Sequence, residues 1–324
     1  MQRRFFSTSL VSSLAMAAIP VWAQTSFPNK PIKFIVPYAP GGLPDVVARV
    51  LSQRLGERLG QPIVVENKAG GAGVIAYNAL QQSQPTDGHA YILSDGAMLS
   101  ISPHINKAAN YKIGRDLFPV SLIGRAPLFL VAHSKTGVNS LQEFVAQVRK
   151  RPGEYTYGSS GIGSNHHLTM EALKAELQLD LRHVPFRGSG QSTPALVAGQ
   201  VDFSIAALPS ISSFVQNGQL KVLASQAGTR SALAPSIPTI AETIPGFDYG
   251  PLLVLLAAPG TPAQATDRMQ REIAEIVKHP EVIKSFNVAA VEPVGSGPED
   301  AANALQREVD AMARSAKFAQ LKPE

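Results

Sequence analysis

The chain of 324 residues contains no cysteine. That absence removes disulfide cross-links, thiolate metal ligands and cysteine nucleophiles together, so stability has to come from an apolar core. There is a single tryptophan, Trp22. No segment offers the run of about 20 uninterrupted apolar residues that a membrane span needs. Charge of one sign is also scarce: the formal net charge is +5, and Arg149, Lys150 and Arg151 form the only basic triplet. Nucleic-acid binders concentrate Lys and Arg in runs, whereas this triplet closes an expected helix, where the dipole favours cations. No nucleic-acid partner is expected. Low-complexity tracts and short-period repeats are absent as well.

What is present begins at the N-terminus. Arg3 and Arg4 precede an apolar stretch from Leu10 to Val21, closed by the small-residue site Val21-Trp22-Ala23. This is the pattern of a secretory signal peptide over residues 1–23. Arg3-Arg4-Phe5-Phe6 also fits the start of a twin-arginine signal, so both export routes stay open. Loss of the segment takes Trp22 and two arginines but no acid, leaving 27 of the 29 Lys+Arg against 24 Asp+Glu. The expected product is a soluble exported protein of roughly 300 residues, long enough for two domains.

Strand and helix patterns alternate along it. Ile32–Pro37 reads as a buried strand, followed by a Pro/Gly loop and a helix from Pro44 to Leu59, in which Val47, Leu51, Leu55 and Leu59 make one apolar face. Ile63–Glu66 and Tyr91–Ser94 read as strands, with a helix over Val74–Gln82 between them. The same plan recurs with strand Tyr155–Gly158, a glycine-rich loop, helix Asn165–Leu177 and strand Leu181–Pro185. Helix Gln191–Ala198 and strands Val201–Ile205 and Leu220–Ala224 follow, and the chain turns mainly helical after Ala257. Two such units far apart in sequence predict two α/β lobes, and open α/β sheets bind ligands beyond the carboxyl ends of their strands. Ser94 stands at one such end.

Two loops carry the chemistry. Gly41, Gly42 and Leu43 lie between a strand and a helix whose first N–H groups lack partners and bear partial positive charge, an arrangement suited to a carboxylate. The alternative is a tight turn with Asp45 complementing the dipole. Ser159, Ser160, Ser164, Asn165 and His166 repeat the arrangement with more donors. Here the alternatives are an N-cap for Ser164 and an exposed pair for His166 and His167. Catalytic patterns mostly fail. His166-His167 lacks the His-Glu-x-x-His spacing, and Ile162 replaces the second glycine of a nucleophile elbow, so no catalytic residue, metal or cofactor is assigned. The rival reading is an exported dinucleotide-binding oxidoreductase or a hydrolase. Its strongest support is Gly71-Ala72-Gly73-Val74-Ile75-Ala76 between a strand and a helix, with Asp95 about 20 residues on.

Ordered pieces along nearly the whole chain resemble the extracytoplasmic receptors of tripartite tricarboxylate transporters, the Bug receptors. They include Pro28-x-Lys30-Pro31-Ile32, Val36-Pro37 through Gly41-Gly42 to Asp45, and Val65-Glu66-Asn67 with the Gly70–Gly73 loop. Ser159-Ser160-Gly161-x-Gly163-Ser164 with His167-Leu168, His183-Val184-Pro185-Phe186-x-Gly188, Gly199-Gln200-Val201-Asp202 and Ala258-Pro259-Gly260-Thr261-Pro262 continue the match. The resemblance implies a type II periplasmic binding protein fold, a two-lobed clamshell with its ligand cleft between the lobes. Lobe 1 would comprise residues 24–125 and 248–324, and lobe 2 residues 126–247. It also implies that the Gly41-Gly42 and Ser159–Ser164 loops face each other and hold carboxylates, with Ser164 donating to one and Asp202 ordering the edge of the site. The receptor would act as a monomer and hand its solute to membrane transporter components. Leu43-Pro44 and Leu252 depart from the small and aromatic residues usual in relatives, which suggests a more apolar cleft and an aromatic acid such as a benzene dicarboxylate.

Overall fold

The computed structural model of the protein describes residues 27–83 and 85–323. The signal-peptide expectation for residues 1–23 concerns residues outside these. The chain runs β1 (Ile32–Val36), α1 (Leu43–Leu59), β2 (Ile63–Asn67), α2 (Val74–Gln81), β3 (Ala90–Asp95), α3 (Ala97–Ser100) and β4 (Phe118–Arg125). It continues through β5 (Phe129–His133), α4 (Leu141–Lys150), β6 (Thr156–Ser159), α5 (Asn165–Leu177), β7 (Arg182–Pro185), α6 (Ser189–Val197), β8 (Phe203–Ala206), α7 (Leu208–Gln216) and β9 (Leu220–Ser225). It ends with β10 (Leu252–Ala257), α8 (Ala263–Ile276), α9 (Pro280–Val288), β11 (Glu292–Pro293) and α10 (Pro298–Phe318).

These strands form two mixed sheets. One has the order β11-β4-β10-β3-β1-β2 and the other β7-β6-β8-β5-β9. Each sheet is a lobe, covered on both faces as buried parallel strands require. On α1, Val47, Leu51 and Leu55 are fully buried against Phe34, Tyr91 and Leu253, and the helix stops at Gly60 in a left-handed C-cap. The second lobe closes around Phe144, Tyr157, Leu173 and Phe203.

Strand direction decides where a site can form. In the first sheet β1, β2 and β3 run parallel, and β10 runs antiparallel to both β3 and β4. Val36, Asp95 and Arg125 therefore leave the sheet on one edge. In the second, Phe129 pairs with both Ala206 and Ser225, and β6 runs parallel to β7 and β8. Ser159, Pro185, Ala206 and Ser225 therefore share the edge at which the chain enters from the first lobe. The crossovers, 126–128 and 226–251, are tied to each other: Gln226 donates to the Leu128 carbonyl and Ala126 to the Pro251 carbonyl. The carboxyl edges of the two sheets thus face each other across a paired hinge.

Four strands, β4, β5, β10 and the two-residue β11, have no counterpart in the sequence pattern. β10 is apolar and buried at every residue, so no alternation marks it. The end of segment 248–324 reaches toward the second lobe. Ala311, Met312 and Ala316 of α10 pack in the second lobe's core, although Ala301 and Leu305 pack in the first. No helix among the described residues is long and apolar enough to cross a membrane.

Candidate functional site

The first lobe brings the loop after β1 to the facing edge. Gly41 adopts φ 85°, open to glycine without strain, and its N–H donates to Asp45 Oδ2 at 2.9 Å. Gly42 N–H donates to the Ala39 carbonyl at 3.3 Å. The Asp45 carboxylate is buried and also accepts from Arg49 Nε at 3.0 Å and Asn67 Nδ2 at 2.9 Å. Burial alone would raise its pKa, but the bonds from Arg49, Gly41 and Asn67 outweigh that and bring it down to about 2. The chain's own carboxylate therefore lies beside the α1 N-terminus, bonded to the preceding loop and capping none of the helix's own N–H groups. Leu43 packs against the lobe core instead of projecting freely.

Behind this loop the Tyr38 hydroxyl donates to Asp95 Oδ1 at 2.5 Å, and Asp95 also accepts from the N–H groups of Ala97 and Met98. Ser94 is fully buried beside Tyr38. Pro37, Tyr38, Ala39, Gly70, Gly73, Met98 and Ser102 enclose a cavity of 280 Å³. Gly73 allows that enclosure, because a Cβ there would stand 2.9 Å from both Met98 Cγ and the Tyr111 hydroxyl.

The second lobe answers with the loop after β6, which neutral groups brace. Ser159 is fully buried; its Oγ lies 2.6 Å from His183 Nε2 and accepts from Gly161 N–H at 3.1 Å. His183 is sandwiched between Tyr157 and His167, with ring centroids at 4.8 and 4.1 Å. His167 Nδ1 accepts from Gly163 N–H at 3.2 Å, which requires that nitrogen to be unprotonated. Burial lowers the pKa of both rings, His183 to about 4. Ser164 is the N-cap of α5: it accepts from His167 N–H at 3.2 Å and sends its own proton to the Gly161 carbonyl at 2.7 Å. In this structure its hydroxyl proton is thus engaged within the loop.

The first turn of α5 points toward the first lobe. Asn165 Nδ2 donates to the Tyr249 carbonyl at 3.1 Å, and its Oδ1 accepts from Gln226 Nε2 at 3.0 Å, fixing the helix start to the hinge. His166 follows. Burial pushes its pKa down to about 4, and its Nδ1 is buried with no hydrogen-bond partner among the described residues. At Gly163 the lobes touch, since a Cβ there would lie 2.7 Å from Ile105 Cγ2. Ser160 is half-buried at the loop's start, its carbonyl accepting from Gly188 N–H at 3.1 Å.

Asp202 does not join this cluster. Its carboxylate accepts from Thr156 N–H at 2.8 Å and Thr156 Oγ1 at 2.9 Å and pairs with Lys135 at 3.1 Å. Thr156 begins β6, so Asp202 sits at the amino edge of the sheet, roughly 10 Å of strand from Ser159. The dinucleotide-like segment is a short turn at Gly71–Gly73 on edge strand β2, with its carbonyls engaged by Asn106 and Tyr111. Sequence reasoning passed over Glu308, buried on α10 beside Ser100 at 2.8 Å. The signal was available: an acid three residues after Leu305 and four before Met312, on an otherwise apolar stripe.

A family model described as the tripartite tricarboxylate transporter family receptor matches residues 47–320. Over 294 residues the chain is 35% identical to Protein BugT of Bordetella pertussis, with 90% of each chain covered. The solved R. palustris Rpa4515 with adipate superposes with a TM-score of 0.75 at 27% identity, covering 92% of this chain and 100% of that one. MatC (Rpa3494) from Rhodopseudomonas palustris with bound malate gives 0.69 at 26% identity, covering 90% and 100%.

Proposed function

The chain belongs to the tripartite tricarboxylate transporter receptor family, as a periplasmic solute-binding receptor and not an enzyme, and from that premise we propose that its solute is a small dicarboxylate held between the lobes. The observation that carries this reading is the free start of α5. Ser164 caps His167, which leaves the N–H groups of Asn165 and His166 without intrahelical acceptors, and the helix dipole favours an anion there. Unlike α1, α5 has no acidic residue in its first turn. Neutral His166 adds a donor without the desolvation cost of a buried cation. The proposed contacts are Ser160, Asn165 and His166 from lobe 2, with Tyr38, Ser94 and the Gly41–Leu43 loop forming the opposite wall.

The cavity of 280 Å³ is lined by lobe 1 residues alone and would form the lobe 1 part of the site; by itself it falls just below the roughly 300–1,000 Å³ of small-molecule sites. Adipate and malate, in the two solved relatives, are both dicarboxylates. The aromatic subclass loses one of its supports, because Leu252 is buried in the lobe core with Met98 and Leu305. The Tyr38 ring and the Met98 side chain are what favour a ring-bearing diacid as the second reading. In use, the solute docks on the α5 loop, the first lobe closes over it, and the closed monomer presents it to the membrane components of a transporter. The test is thermal unfolding against adipate, malate and terephthalate after removal of co-purified solute. A diacid at 100 times its Kd should add about 2.7 kcal/mol of apparent stability. No shift with any diacid would refute the reading.

A further inference from the structure

The cavity behind the loop after β1 has nine lining residues, of which only Tyr38 and Met98 carry long side chains, and none of the nine is charged. Tyr38 is fixed, because its hydroxyl donates to Asp95 Oδ1 at 2.5 Å. Met98, a thioether, is held by packing alone. It is 1% exposed and packs with Leu99, Tyr111 and Leu305, so it stands between the first core and the cavity. Its chain lies along the backbone of Gly73, where a Cβ would stand 2.9 Å from Met98 Cγ and 3.4 Å from Cε. Met98 is therefore the floor of the cavity, and the one large lining side chain that can be exchanged without breaking a side-chain hydrogen bond.

The mouth of the cavity lies beside the proposed anion site. Ser102 lines the cavity, and its carbonyl accepts from Ile105 N–H at 3.1 Å. Ile105 in turn meets the second lobe at Gly163, the residue before the α5 cap, where a Cβ would lie 2.7 Å from Ile105 Cγ2. On the other side Ala39 lines the cavity and its carbonyl accepts from Gly42 N–H at 3.3 Å, so the Gly41–Leu43 loop forms the rim. A diacid with one carboxylate at the start of α5 and the other at this rim has its carbon chain over an uncharged recess floored by Met98.

We propose that Met98 sets how much carbon the solute carries between its two carboxylates. The inference rests on the dicarboxylate reading above. With both ends fixed, a longer chain bows deeper into the recess, and each methylene buried there strengthens binding about fourfold until it meets the floor. Beyond that point added carbon has to displace the Met98 side chain, which is adaptable but backed by a close-packed core. The same limit applies to the width of a ring between the carboxylates.

Calorimetric titration of the mature protein, freed of co-purified solute, with the linear diacids from succinate to suberate tests this. Met98→Ala removes Cγ, Sδ and Cε from the floor. It should raise the affinity ratio of suberate to adipate at least about tenfold over wild type, two methylenes at about fourfold each. Because that substitution also empties a core position and can cost the fold, Met98→Leu is titrated beside it. Leucine nearly conserves the volume but is one bond shorter, and should move the ratio the same way by about fourfold, the effect of one methylene. A ratio unchanged in the folded variants, including one in which all diacids weaken together, would overturn the gauge and leave Met98 a packing residue. Wild type that binds no diacid of the series would refute the dicarboxylate reading, and the gauge falls with it.

Discussion

The loops that follow β1 and β6 share one plan, strand to glycine-rich turn to helix, yet they reach opposite electrostatic states. The α1 start holds Asp45, fixed by Gly41, Arg49 and Asn67, so a charge from the chain itself sits beside it. The α5 start is shaped by uncharged groups, the Ser164 cap and the Ser159–His183–His167 stack, and no carboxylate fills it. The lesson is that a helix N-terminus beyond a glycine pair is a potential anion site, and an acid in the helix's first turn decides whether it is free. In lobe 1 the third helical residue is Asp45; in lobe 2 it is His167.

Breaking the charged side should have the largest effect. Asp45→Ala strands three donors, two of them on buried or constrained groups, and should lower stability by about 3 kcal/mol in urea denaturation. Dicarboxylate affinity of the folded variant should stay within about twofold of wild type. A loss of binding at unchanged stability would reverse the roles assigned to the two loops.

The neutral side should respond to acid instead. His167 and His183 are held below the usual histidine range, chiefly by burial. The unfolded chain therefore binds more protons as pH falls below about 6.5, and stability present above that value is lost on the way down to about 4. Wild type should lose about 2 kcal/mol between pH 7 and 4.5 from His183. His183→Gln should show a clearly smaller loss. Equal slopes in the two proteins would mean that the stack does not govern the loop.

Much of this was legible in the sequence, and the limits are physical. The α1 and α5 starts could be read because proline, glycine and serine mark helix entry, and strands β1 to β3 because turns bound them. The occupancy of the α1 site was not, since Asp45 four residues after Gly41 can either complement a dipole at a distance or bond the loop directly, and only the fold chooses. Ser164 was ambiguous for the same reason: a hydroxyl has one proton, and the sequence does not say that the Gly161 carbonyl takes it. Asp202 was misplaced because adjacency to a matching motif says nothing about which end of β8 faces the cleft. Glu308 was passed over because its partners Ser100, Asp95 and Asp248 lie far away in sequence.

The most direct measurement is calorimetric titration of the refolded protein and its Ser164→Asp variant with a linear dicarboxylate. Asp caps helices as well as Ser does, so folding should be preserved, but it places at α5 the internal carboxylate that α1 already has. Wild type should bind with a saturable heat, and the variant should bind at least about tenfold more weakly with its Tm not lowered. Equal affinity in the two proteins would contradict the assignment of the solute's carboxylate to the start of α5.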